Sequence, residues 1–157
     1  MSFLSERGKL RIYAVSILIP VLLGGLTGWI ILGSMDYDML NKPAFSPPAW
    51  LFPVVWTVLY ILMGVSSGML KVKGLFEDGI SKLYYLQLFV NLLWPIAFFV
   101  LKWRLFSFIW IILLAVLVIA MAVKFYRKDK LSGLLQIPYA VWTVFASYLT
   151  LFAYLLN

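Results

Sequence analysis

The sequence predicts an all-α membrane protein, a bundle of five transmembrane helices, and three observations carry that prediction. Hydrophobic residues fill 64% of 157 positions and charged residues only 12%, about half the charged share of a soluble domain. A small soluble domain is mostly surface, and this chain lacks the polar residues to cover one. The charges are also unevenly placed, leaving uncharged stretches over 12–35, 43–70, 83–101, 105–123 and 131–157. Each is close to or beyond the roughly 20 residues that cross a bilayer as a helix. Finally, the stretches are continuously apolar, whereas a closed β-barrel needs lipid-facing and lumen-facing residues in alternation.

The first helix is expected near 12–33. A basic start ahead of an apolar run also suits a signal peptide, but this run outlasts a typical signal core and has no small-residue cleavage site, so it is expected to stay as a span. It carries Gly24 and Gly28 in G-x-x-x-G spacing, which permits close helix approach within one chain or between two. The second helix is expected near 48–70. Ser46 is the candidate cap and Pro47 and Pro48 suit a first turn, with Trp56 and Tyr60 one turn apart. The third and fourth helices, near 83–101 and 105–125, are joined only by Lys102-Trp103-Arg104 and must form an antiparallel hairpin. The fifth, near 134–156, carries Pro138, Tyr139, Trp142 and Ala146. Val141-Trp142-Thr143-Val144 repeats Val55-Trp56-Thr57-Val58, a match read as coincidence because five helices cannot complete an inverted repeat. Five spans leave no room for a second domain, so 1–157 is read as one membrane domain.

Orientation follows from the basic residues. Arg7, Lys9, Arg11, Lys71, Lys73, Lys82, Lys124, Arg127, Lys128 and Lys130 fall on one side, and Lys42, Lys102 and Arg104 on the other. The positive-inside rule places the N-terminus in the cytoplasm and the C-terminus outside the cell membrane. Topology and anionic headgroups account for the net charge of +7, and no nucleic-acid partner is expected.

The chain excludes much chemistry. It has no histidine and no cysteine, and its six acidic residues fall outside the expected helices. A Ser-His-Asp triad, a zinc site and a histidine-ligated haem are therefore out of reach, and no ionisable group sits mid-membrane to couple an ion. A ligand would be held by aromatic surface, amides, hydroxyls and backbone, the usual lining of a small-molecule pocket. On the third helix Tyr84, Gln87, Asn91, Trp94 and Phe98 share one face. Two readings fit Gln87 and Asn91: an interhelical hydrogen bond that glues the bundle, worth roughly 1 kcal/mol, or the polar end of a pocket. Trp29, Trp103 and Trp110 suit interface anchors. Trp94 and Trp142 lie inside helices beside prolines and call for another role.

Lys42-Pro43-Ala44-Phe45-Ser46-Pro47-Pro48-Ala49-Trp50, Val55-Trp56 with Leu59-Tyr60, Gln87, Asn91 and Trp94-Pro95, and Pro138-Tyr139 with Trp142 and Ala146 together resemble the tryptophan-rich sensory protein (TspO/MBR) family. Its mitochondrial members are called translocator protein or peripheral benzodiazepine receptor. The resemblance runs from Gly24 to Leu149. It implies a five-helix bundle, commonly a homodimer, with a pocket closed by the first loop. It implies protoporphyrin IX and other tetrapyrroles as ligands rather than a permanently bound cofactor, together with benzodiazepine- and isoquinoline-type compounds. It also implies light-dependent oxidative breakdown of porphyrin. Matched one by one, Trp50 and Trp142 are the tryptophans tied to that photochemistry, and Tyr60, Asn91, Trp94 and Ala146 line the pocket. From the residues themselves, Gln87 is added at the polar edge, and the absence of histidine favours metal-free porphyrin. Three departures stand out. Asp36 precedes Tyr37 where the family often has tryptophan, Thr150 stands where it often has asparagine, and no basic residue follows Tyr154, so cholesterol is not expected as a partner. Binding receptor, photo-oxidative enzyme and porphyrin transporter remain the three functional readings.

Overall fold

A computed structural model describes residues 4–157. Its helices are α1 (Glu6–Ile31), α2 (Leu51–Val72), α3 (Asp78–Pro95), α4 (Arg104–Lys128), a short α5 (Lys130–Leu134) and α6 (Ile137–Leu155). Five segments are long and apolar enough to cross a membrane, α5 and α6 together forming the last, and no strand occurs among the described residues.

The ends of the helices differ from expectation for local reasons. α1 starts six positions earlier than the apolar run because Ser5 caps it, accepting a bond from the Gly8 amide, and Glu6 sits in the first turn, where a negative charge complements the helix dipole. α2 starts later than its proline-rich entry suggests. Ser46 does not cap it: the hydroxyl donates to the Pro43 carbonyl at 2.8 Å, inside the loop, and Trp50 occupies the cap position without a side-chain bond. At the end of α3, Pro95 supplies no amide to the helix, and the chain widens into a π turn over Ile96–Val100. Lys102, in the left-handed region at φ 57°, then reverses the chain into α4.

The helices form a ring. α1 packs on α2 and on α3, α3 on α4, and α4 on α6. Aromatic contacts between α2 and α6 complete the circuit, with Trp56 and Trp142 edge-on at 6.4 Å between ring centroids. The tryptophans of the two Val-Trp-Thr-Val segments therefore meet. α1 and α2 approach closely near the basic end, at Gly64 and Gly68. A methyl on Gly64 would lie 2.4 Å from the Ile17 Cα, and one on Gly68 would lie 2.8 Å from the Tyr13 ring. Within the chain, Gly24 and Gly28 differ. A methyl on Gly24 would strike the Tyr60 ring at 2.2 Å, while one on Gly28 meets nothing within 4 Å.

The basic end is tightly tied. Gly133 lets α5 lie against the Tyr126 backbone, the Ser66 hydroxyl donates to the Ser132 carbonyl at 2.7 Å, and Lys73 pairs with Asp129. Lys73 and the Ser132 hydroxyl hold the Asp129 carboxyl down at about 2.

Candidate functional site

From Tyr60 towards the loop end, α1 and α2 diverge and a cavity of about 550 Å³ opens between them, the end of α3, α6 and the loop before α2. Its walls are mostly aromatic or small. Phe52, Trp56 and Tyr60 come from α2, Trp94, Phe98 and Phe99 from the end of α3, and Ala146, Leu149, Thr150 and Ala153 from α6. The volume and lining suit a drug-sized or larger flat molecule. Trp94 stacks on Phe98 at 5.2 Å, and its buried indole Nε1–H has no partner among the described residues. A buried donor left without an acceptor is costly; the Trp94 side chain borders the cavity, while its nitrogen is itself buried.

A chain of hydrogen bonds underlies the floor. The Tyr60 hydroxyl donates to Asn91 Oδ1 at 2.7 Å, Asn91 Nδ2 donates to the Tyr139 hydroxyl at 2.6 Å, and that hydroxyl donates to Gln87 Oε1 at 2.7 Å. Gln87 Nε2 then reaches Met63 Sδ at 3.4 Å. Every amide and hydroxyl here is paired, as burial in an apolar bundle demands. Gln87 and Asn91 are 0% and 2% exposed. Neither borders the cavity; they hold Tyr60, which does.

The loop over the cavity is fastened at several points. Asp36 accepts from Arg104 at 2.6 Å and lies 3.5 Å from Lys102, while Arg104 also donates to the Phe98 carbonyl and covers the Phe98 ring. Asp36, the departure noted in the sequence, thus ties the loop to the α3–α4 turn. The Tyr37 hydroxyl donates to the Pro47 carbonyl at 2.6 Å. Burial raises its pKa above the ordinary tyrosine value. Asn41 and Asn157 exchange bonds, Asn157 Oδ1 accepting from the Asn41 amide at 2.9 Å and Asn157 Nδ2 donating to the Asn41 carbonyl at 3.0 Å. The Tyr148 hydroxyl donates to the Ala44 carbonyl. Lys42 borders the cavity and stands over the Tyr37 ring.

Residues 16–155 match the TspO/MBR family. The chain belongs to the TspO/MBR family. It is 39% identical over 138 residues to protein CrtK of Rhodobacter capsulatus, covering 85% of each chain. It is 40% identical over 122 residues to the tryptophan-rich protein TspO of Archaeoglobus fulgidus, covering 77% of this chain and 79% of the relative. It is 31% identical over 115 residues to the human translocator protein, covering 71% and 68%. The chain is an integral membrane protein of this family.

Of the residues singled out in this TspO/MBR member, Tyr60, Trp94 and Ala146 border the cavity together. Trp142 lies one ring behind it, edge-on to the cavity residues Trp56 and Phe52. Trp50 is 66% exposed, outside the cavity, and makes no ring contact with Trp142 among the described residues. Trp50, at the cap position of α2, and Trp142 therefore do not share the cavity. Sequence reasoning passed over Trp56, Trp29 and Lys42 as lining residues. The Trp56–Tyr60 spacing was the one signal that pointed to Trp56. Thr150 borders the cavity but spends its hydroxyl on its own helix, donating to the Ala146 carbonyl at 2.7 Å.

Proposed function

We propose that this protein is a membrane receptor for flat, amphipathic tetrapyrroles, with metal-free protoporphyrin IX the first candidate, and that it promotes their light-dependent oxidative breakdown. The observation that carries the reading is the aromatic cavity, walled by Phe52, Trp56, Tyr60, Trp94 and Phe98, with one cation, Lys42, in its roof. A macrocycle stacks on aromatic walls, and anionic propionates suit Lys42. The same walls suit benzodiazepine- and isoquinoline-type compounds. Excited porphyrin can draw an electron from a neighbouring indole or sensitise molecular oxygen, and neither route needs a general acid, base or metal. Trp56 borders the cavity and touches Trp142, so an oxidised Trp56 can be refilled from Trp142.

The basic-residue asymmetry supports a cytoplasmic N-terminus, which puts the cavity in the outer half of the cell membrane. A reporter fused after Asn157 is then active only on the external face. The decisive experiment titrates protoporphyrin IX into purified protein in the dark and repeats it under light with and without oxygen. Saturable dark binding, weakened at least tenfold by Ala146→Trp, and oxygen-dependent loss of porphyrin in light are expected for a filled pocket. Binding that ignores Ala146→Trp would place the ligand elsewhere and end this reading.

A further inference from the structure

We infer that the cavity is loaded sideways from the bilayer, through a portal between α1 and α2, and not from water through the loop. This rests on the cavity being the ligand site, as proposed above, and adds the route into it. Gly25, Gly28 and Trp29 on α1, and Pro53 and Thr57 on α2, border the cavity and are exposed. On the loop side Leu32, Met35, Asn41 and Lys42 also border the cavity and are exposed, so the two sides differ in what holds them together. The five on the α1–α2 side lie in membrane-spanning segments, so the surface they open onto is lipid. Trp29 is 73% exposed, and a methyl on Gly25 or Gly28 would meet nothing within 4 Å. The glycines therefore serve no close packing at this point; their missing side chains leave the gap open.

The loop route is fastened by contrast. Opening the loop would break the Asn41–Asn157 exchange, the Asp36–Arg104 ion pair and the Tyr148–Ala44 bond. Sliding between α1 and α2 breaks none of them. A flat apolar molecule is also concentrated in the bilayer by the hydrophobic effect, so the route with no bond to break also faces the larger supply. The rim itself is nearly all apolar, and the one cation near the path, Lys42, waits in the roof, where an anionic edge would arrive last.

The test uses two probes in the full-length protein in lipid vesicles. The first is protoporphyrin IX, followed in the dark by stopped-flow quenching of tryptophan fluorescence. Gly28→Phe is expected to slow association and dissociation by about tenfold each, a change within the range of gated binding rates. Asn157→Ala, which unfastens the loop, is expected to leave both rates within about twofold. The second probe needs no porphyrin. The chain has no cysteine, so Ala146→Cys places a single thiol in the cavity. A bilayer-soluble maleimide should label it, and Gly28→Phe should slow that labelling, while a membrane-impermeant cationic methanethiosulfonate added outside should label it slowly with or without Gly28→Phe. Fast labelling by the charged reagent, faster rates in Asn157→Ala, or indifference of maleimide labelling to Gly28→Phe would each overturn the portal. A copy of the chain covering the rim would show as maleimide labelling that rises on dilution into excess lipid, and that too overturns an open portal. If protoporphyrin fails to bind while thiol labelling follows the pattern above, the portal stands and the tetrapyrrole reading falls.

Discussion

The two ends of the α1–α2 pair use the same spacing of glycines in opposite ways. Towards the basic end, Gly64 and Gly68 of α2 receive the α1 backbone and the Tyr13 ring so closely that neither position has space for a methyl. Towards the loop end, Gly24 is filled by the Tyr60 ring, and Gly28, one turn further, faces an open gap. Tyr60 is the pivot. Its ring fits against Gly24 and its hydroxyl is pinned by Asn91, so the helices are sealed below it and spread above it. Small residues permit close approach of helices but do not compel it; what lies opposite them decides whether they make a seal or an opening.

The largest expected effect breaks the seal. Gly64→Ala sets a methyl against the Ile17 backbone, which cannot move as a flexible side chain would. It should cost about 1–3 kcal/mol of stability, the usual penalty of overpacking, as measured by unfolding in detergent. Gly28→Ala meets open space, so it should be neutral or gain up to about 1 kcal/mol from helix propensity. Equal losses at both sites would erase the contrast between the two ends.

The pivot comes next. Asn91→Ala strands the Tyr60 hydroxyl and removes the donor to Tyr139, both buried. A loss of about 1–2 kcal/mol is expected, the scale of interhelical hydrogen bonds in membranes. Porphyrin affinity should fall only as far as Tyr60 is freed. Tyr60→Phe keeps the ring against Gly24 and tests that link directly. If Asn91→Ala weakens binding strongly without touching stability, the amide reaches the ligand itself.

A smaller effect separates the tryptophans. Trp56→Phe should slow light-driven porphyrin loss more than Trp50→Phe, because Trp56 borders the cavity and Trp50 faces outward. Trp142→Phe should fall between them. Equal rates in all three would mark the breakdown as ordinary sensitised bleaching.

The smallest concerns pH at the sealed end. Lys73 and Ser132 hold the Asp129 carboxyl at about 2, against 3.8 without them. A carboxyl whose pKa is lowered by folding stabilises the fold above its unfolded value and loses that contribution as it protonates. Stability should therefore be level down to about pH 4 and decline from there towards about pH 2. Asp129→Asn should flatten that decline, while leaving the loop end and porphyrin binding unchanged.

Much of this molecule was legible in its residues. The five spans followed from where charges are absent, since a bilayer tolerates few of them, and the family followed from the proline- and tryptophan-rich motifs around Trp50, Trp94 and Trp142. Tyr60, Trp94 and Ala146 as neighbours in one cavity were legible through that resemblance. Composition could not say which glycine pair seals and which opens, because Gly24/Gly28 and Gly64/Gly68 share one spacing. Nor could helical periodicity tell a lining residue from one behind it: Asn91 and Trp94 share a face of α3, yet Tyr60 and Tyr139 claim the first and leave the second bordering the cavity. The start of α2 was equally hidden, since prolines suit both a first turn and a loop, and that choice put Trp50 at the cap position. Burial cost and helix length are properties of a segment, so the sequence by itself determined the spans and their order. Cavity and fastened loop depend on which side chains from distant segments meet, and only the tertiary structure decided those.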